Sequence, residues 1–272
     1  MGQDIIGQAY VTANVDKGEV LKGVTNSLLH LSNGASADLV PLLAIPVFSS
    51  SPEKPSSHSG VGIGSWAGDR LICAGNHSID LPLDLLTSAE HAAVRSLPSV
   101  CCDGRGSVPE GDLFLYAYDQ FKRTNSVPAT VARAYFPTDR AWVLRNLTKR
   151  EYVRAEALAL YPDECQGPFV GVPGVRPGLG EVVMSRIVWS SDISDECYYG
   201  EGITRGVWAG DRFDIRAVGT VDLEGDNEFD EPWKDVSTEV ACETLRAWDK
   251  FRAYGWRQSF RSRPSSDWVM AF

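Results

Sequence analysis

A chain of 272 residues, 43% hydrophobic and 23% charged, can hold one large domain or two small ones and can bury a core without disulfide or metal staples. Its formal net charge of -10 opposes non-specific attraction to nucleic acid and to anionic membranes, and no apolar run approaches the roughly 20 residues of a bilayer-spanning helix. Met1-Gly2-Gln3-Asp4-Ile5-Ile6 has neither the basic nor the apolar region of a secretory signal, and the six cysteines (Cys73, Cys101, Cys102, Cys165, Cys197, Cys242) show no Cys-x-x-Cys spacing, so a cytoplasmic protein with reduced thiols is expected.

The first predicted element is a hairpin. Tyr10-Val11-Thr12 and Val20-Leu21 flank Asp16-Lys17-Gly18-Glu19, where glycine supplies the positive φ of a tight turn. Asp38 to Ala44 predicts a short helix with Pro41 near its start. Ser49 to Gly60 is a polar Ser/Pro stretch and predicts a surface loop. Gly64-Ser65-Trp66-Ala67-Gly68-Asp69-Arg70 then reads as a turn running into a strand, Leu71 to Ala74. Thr87-Ser88-Ala89-Glu90 has the form of a capping box for a helix to about Leu97. Leu115, Tyr118 and Phe121 predict one face of a second helix.

The turn then returns. Gly206-Val207-Trp208-Ala209-Gly210-Asp211-Arg212 matches it, and the match runs ungapped to Thr220-Val221-Asp222-Leu223 against Ser78-Ile79-Asp80-Leu81. Upstream, in the same order, Tyr10, Asn14, Val15, Lys17 and Glu19 align with Trp142, Asn146, Leu147, Lys149 and Glu151. Two matched blocks in one order predict a tandem duplication, the second copy starting near Ala141. This decides one ambiguity. Thr148-Lys149-Arg150-Glu151 alone looks like a capping box for a helix through Ala159, but its counterpart is the hairpin turn, so strand–turn–strand is expected in both copies.

The Gly/Pro-rich run from Gly167 to Gly180 is taken as the counterpart of the Ser/Pro loop, and Val182 to Trp189 as β-rich. Phe213 to Arg216 predicts the strand after the second turn. Val240, Leu245, Trp248 and Phe251 recur at helical spacing, with Ser237 and Thr238 at the start and Gly255 at the stop. Seven of the eight tryptophans, all but Trp66, follow residue 140, so the heavier core or the binding face is expected in the second copy. Hairpins mixed with helices argue α+β with largely antiparallel pairing.

The repeated turn has two readings. Gly takes the left-handed conformation and Asp bonds nearby amides, so the motif serves as a structural corner that pins Trp under a sheet. Alternatively, Trp is a stacking platform and Asp and Arg orient a polar ligand beside it. Trp66, Asp69, Arg70, Trp208, Asp211 and Arg212 are therefore the candidate ligand-binding residues.

Other signals are weaker. Gly60-Val61-Gly62-Ile63-Gly64-Ser65 lacks the strand before and helix after that a phosphate loop needs. Asp222 to Glu231 gathers six carboxylates without EF-hand spacing and reads as a solvated acidic loop. The basic and aromatic C-terminal segment is explained by core packing of Trp248 and Phe251 rather than by nucleic acid. His30, His58, His77 and His91 include no pair at metal-ligand spacing. His77, Ser78 and Asp80 hold the ingredients of a hydrolase without a nucleophile elbow.

The Met-Gly-Gln start, Asn146 to Val153 and Gly64 to Arg70 together resemble a family of uncharacterised microbial proteins. The resemblance implies a hairpin, a Trp-x-Gly-Asp-Arg turn running into an apolar strand that ends in Gly-Asp-Tyr, and a closing segment like Trp233 to Val240. It covers most of the chain as two copies. Asp4 departs from the usual Tyr, and Asn76-His77 and Val218-Gly219 replace Asp-Tyr. It implies no activity.

The expectation is thus two α+β modules, residues 1–139 and 140–272, in a pseudo-twofold arrangement that leaves open one globular unit or two. The expected role is a non-catalytic module that binds a small molecule or a protein, with no cofactor, metal, nucleic acid or membrane. The alternative is a small-molecule hydrolase or lyase using Asp69/Arg70 or Asp211/Arg212 as acid–base and anion-orienting groups.

Overall fold

A computed structural model describes residues 9–21, 36–46, 62–78, 80–82, 85–96, 113–124, 140–158, 177–194, 196, 201–221 and 232–261. The loop Ser49–Gly60, the Cys101-Cys102 pair and the acidic run Asp222–Glu231 lie outside the described residues. The chain is α+β, with two mixed sheets. In the first, strands β1 (Tyr10–Asn14), β2 (Glu19–Leu21), β3 (Leu71–Gly75), β4 (Lys122–Thr124) and β7 (Val188–Trp189) lie in the order β4-β2-β1-β3-β7. In the second, β5 (Trp142–Asn146), β6 (Glu151–Arg154), β8 (Phe213–Ala217) and β9 (Lys234–Asp235) lie in the order β8-β5-β6-β9. Among the described residues the α-helices are α1 (Ser36–Leu43), α2 (Ser88–Arg95), α3 (Leu113–Gln120), α4 (Leu179–Ile187) and α5 (Ser237–Arg261).

The registers of the two sheets run alike. β1 and β2 pair antiparallel with Asn14 opposite Glu19, and β5 and β6 with Asn146 opposite Glu151. β3 joins β1 with Leu71 opposite Asn14, as β8 joins β5 with Phe213 opposite Asn146. The outer hairpin strand takes a parallel partner in both cases, Glu19 facing Lys122 and Glu151 facing Lys234. The stretch Thr148–Glu151 is accordingly a hairpin turn into β6. Arg150 stands there at φ 53, where the first hairpin has Gly18 at φ 60.

In each sheet the strand that follows the Trp turn takes its outer partner from the other half of the chain. β7 pairs parallel with β3, Cys73 facing Val188. Ala44, just after α1, bridges Ile215 of β8, and Ile45 N–H donates to Ile215 O at 2.8 Å. An antiparallel bridge between Arg70 and Arg212 ties the starts of β3 and β8. One core cluster therefore draws on both halves, with Tyr10, Leu39, Leu43 and Cys73 packed with Trp142, Leu144, Val183, Ile215 and Trp248. Pairing an edge within the chain satisfies backbone groups that would otherwise recruit another strand.

Strand alternation assigns the opposite faces. Val11, Ala13, Val20, Ile72 and Ala74 point away from the shared core and pack on Val94 of α2 and on Leu113, Phe114 and Ala117 of α3. At the equivalent registers of the second sheet stand Val143, which is also buried, and Arg145, Tyr152, Asp214 and Arg216. Arg145 binds the Asp214 carboxylate through two nitrogens, at 2.8 and 2.6 Å, and lies over the Trp233 ring.

Three expectations are corrected. Val182 to Ile187 belongs to α4 rather than to a strand, and only Val188 and Trp189 are extended. Leu179, Val182, Val183 and Ile187 make one buried stripe at helical spacing, which outweighs the β preference of adjacent valines. The buried face of α3 is Leu113, Phe114 and Ala117, with Leu115 and Tyr118 only partly covered, because small Ala117 lets the helix approach the sheet. Finally, α5 runs past Gly255 to Arg261, since a single glycine costs a helix only about 1 kcal/mol. The capping box at Thr87 is present, with Glu90 bonding back to the Thr87 amide.

Candidate functional site

The tryptophans, glycines and aspartates of the two Trp-Ala-Gly-Asp-Arg turns use their polar groups in the same way. The indole of Trp66, wholly buried, donates to Glu19 Oε2 at 2.8 Å, and that of Trp208 donates to Glu151 Oε2 at 3.0 Å. The Trp66 amide donates to Leu42 O and the Trp208 amide to Arg186 O. Gly68 and Gly210, at φ 85 and 88, turn the chain so that their amides cross to the other half. Gly68 N–H donates to Phe213 O and Gly210 N–H to Leu71 O, each at 2.7 Å.

The aspartates face the hairpins. Asp69 accepts from Asn14 Nδ2 at 2.8 Å and pairs with Lys17 at 3.3 Å. Asp211 accepts from Asn146 Nδ2 at 2.7 Å, with Lys149 at 3.6 Å. The same asparagines accept the Lys17 and Lys149 amides, so each holds its turn and its aspartate together. Burial pushes the Asp211 carboxyl above its ordinary value, against the opposing effects of Asn146 and Lys149.

The arginines differ. Arg70 donates to Asp16, to Glu90 of α2 and to the Leu85 carbonyl. Arg212 is more exposed and shares Asp16, bonding it at 2.6 Å, and also reaches Gly68 O at 2.8 Å. Burial would raise the Asp16 carboxyl, but hydrogen bonds from Arg70 and the charges of Arg70 and Arg212 hold it below the usual range. In the second hairpin Thr148 stands where Asp16 does, and its hydroxyl accepts the Arg212 amide as Asp16 accepts that of Arg70.

The structure thus brings the six candidate residues together as a double brace around the β3 and β8 starts. Asp69 and Arg70 do not pair with each other, and neither indole presents an open face, Trp66 being 0% and Trp208 1% exposed. One face of Trp208 is covered by the Arg186 guanidinium, 4.7 Å from the ring centroid. The arrangement can fix backbone geometry and carry charge inside the corner.

The His77, Ser78 and Asp80 ingredients are sent elsewhere. Ser78 donates to the Trp189 carbonyl, and Asp80 binds Arg205 and Ser191. The Cys73 thiol is buried and burial pushes its pKa up to about 12, which leaves it unreactive. Among the described residues no three His, Cys, Asp or Glu side chains gather as a metal site requires, and no helix is long and apolar enough to cross a membrane.

Sequence reasoning missed Asp16 and Glu90, the anchors of Arg70, and Glu19 and Glu151, the indole acceptors. The last two were legible, because both belong to the upstream matched block. Comparison with known proteins returned no match among family models, curated proteins or solved structures.

Proposed function

We propose that the chain is a tandem duplication whose two α+β modules, residues 1–139 and 140–272, take a pseudo-twofold arrangement and form a cytoplasmic, non-catalytic binding or interaction scaffold. The observation that carries this reading is the occupancy of the repeated motif. In both copies the Trp indole, the Asp carboxylate and the Arg backbone amide are engaged by the same hairpin positions, and the two turns exchange amide hydrogen bonds with the opposite strand starts. A catalytic acid or base needs hydrogen-bond reach to a substrate atom. These carboxylates are spent on asparagine and lysine partners, which favours the corner over the small-molecule hydrolase or lyase.

The test is a thermal-shift screen of the purified protein against metabolites, nucleotides, sugars and metals, since a ligand selective for the folded state raises the melting temperature. It is repeated with Asp69→Asn and Asp211→Asn. The expected result is that both variants are less stable and keep the ligand response of the parent. A response abolished in a folded Asp69→Asn or Asp211→Asn protein would move the motif from scaffold to site and overturn the reading.

A further inference from the structure

A cleft of about 390 Å³ opens between the end of α4, the segment 201–207 and the exposed face of α5, a size that suits a small metabolite. Cations dominate its polar lining. Arg246 and Lys250 stand four residues apart on α5, hence on one face. Both are exposed, and no carboxylate among the described residues engages either. Thr244, on the buried face of the same helix, also lines the cleft; it is 4% exposed and its buried hydroxyl has no hydrogen-bond partner.

Two further guanidiniums are held in fixed orientation. Arg186 stacks on Trp208 and pairs with Glu243, while Arg205 stacks on Trp189 and binds Asp80 through one nitrogen at 2.8 and 2.9 Å. Stacking holds one face of each guanidinium, and the carboxylate takes part of its N–H edge, so each arginine lines the cleft as a fixed positive charge.

The described residues of the first half hold no equivalent pair of arginines. The Trp66 amide takes Leu42 O where that of Trp208 takes Arg186 O, so Arg186 occupies the place of Leu42. Arg205 lies three residues before Trp208, as Ile63 lies three before Trp66. Leu42 and Ile63 are buried in the core. The same scaffold therefore carries two apolar contacts on one side and two arginines lining a cleft on the other. Packing gives no reason for that exchange, because each arginine needs a carboxylate and an aromatic face to be accommodated.

We infer that this cleft binds a small organic anion, its phosphate or carboxylate group received by Arg246 and Lys250 and its body lying against Ile203 and Ala247, with Thr244 in the buried wall of the cleft. This names a ligand class for the binding reading above and rests on it. Four lining cations face two lining carboxylates, Glu201 and Glu243, in a chain of net charge -10, so the cleft is a local reversal of the protein's charge.

The experiment is isothermal titration calorimetry of the full chain at constant ionic strength with inorganic phosphate, glucose 6-phosphate and citrate, and with glucose as the neutral control. Saturable binding of at least one anion and none of glucose is expected. The double variant Arg246→Gln/Lys250→Gln, at exposed positions, should keep the parent melting temperature and lose about tenfold or more in affinity. Thr244→Val, of the same shape, should also weaken binding. Anion binding that the double variant leaves unchanged overturns the inference. So does the absence of binding by all three anions. If in that case the metabolite screen finds a neutral ligand, the binding reading stands without this site; if it finds none, the small-molecule branch of that reading falls with the site and only the protein-interaction branch stands.

Discussion

The side-chain amide of Asn146, fully buried, donates to the Asp211 carboxylate at 2.7 Å. Its carbonyl oxygen meanwhile accepts the amides of Thr148 and Lys149. Asn146→Ala removes all three bonds and leaves a buried carboxylate facing only Lys149. A loss of about 2–4 kcal/mol is expected in urea unfolding. Asn14→Ala should cost less, because Asp69 is more open to water and closer to its lysine. Equal and small losses in both variants would remove the asparagines from the brace.

The two motif glycines separate backbone strain from packing. Both have positive φ, but a Cβ on Gly68 would meet nothing within 4 Å, whereas one on Gly210 would lie 2.9 Å from Leu85 Cδ1. Gly68→Ala should therefore cost about 1–2 kcal/mol from conformation alone. Gly210→Ala should cost that plus the displacement of Leu85, and the difference between their unfolding midpoints measures the packing.

Arg70 and Arg212 occupy matching positions with unequal surroundings. The Arg70 side chain is 15% exposed and held by two carboxylates, and that of Arg212 is 44% exposed and shares one. Arg70→Ala should be the more destabilising, by about 2–3 kcal/mol, with Arg212→Ala below about 1 kcal/mol. The pair also predicts acid sensitivity. For Asp16 and Glu90, burial raises the carboxyl pKa, but hydrogen bonds from the backbone and from Arg70 prevail and hold it low. A depressed folded pKa adds stability above the unfolded value, lost as pH falls through the folded one. Denaturation followed below about pH 4 should show this loss in the parent and less of it in Arg70→Ala.

Glu181 predicts the opposite slope. Its carboxylate accepts Ser36 Oγ at 2.6 Å and the Gly178 amide at 2.8 Å, where α4 meets α1. Burial raises its pKa despite those bonds. A raised folded pKa gives stability that is full below the unfolded value and declines as pH rises through the folded one. From about pH 4.3 upward, the melting temperature of Glu181→Gln should fall less steeply than that of the parent. Parallel profiles would show that Glu181 does not titrate with folding.

Much of the brace was readable in one dimension. Asn14, Lys17 and Glu19 recur as Asn146, Lys149 and Glu151, and Trp66 and Asp69 as Trp208 and Asp211. These two blocks are each other's partners in space. Residues that bond across a corner recur together, so a match in both blocks carries contact information. The Thr87 capping box was legible for a simpler reason, since its bonds span three residues.

The amino-acid sequence by itself thus determined the hairpins, the repeated turn, the capped α2 and the α+β class, all of which follow from local spacing and turn chemistry. Only the tertiary structure decided that β7 closes the edge of β3 while Ala44 and Ile45 close that of β8. Such pairing joins segments more than a hundred residues apart, and a hydrophobic period says which face is buried without saying against what. The same holds for α4, whose valines favour a strand until burial against α1 selects the helix. It holds too for the cleft, where Arg186 and Arg205 stand among ordinary charges in the sequence and acquire meaning beside Trp208 and Trp189.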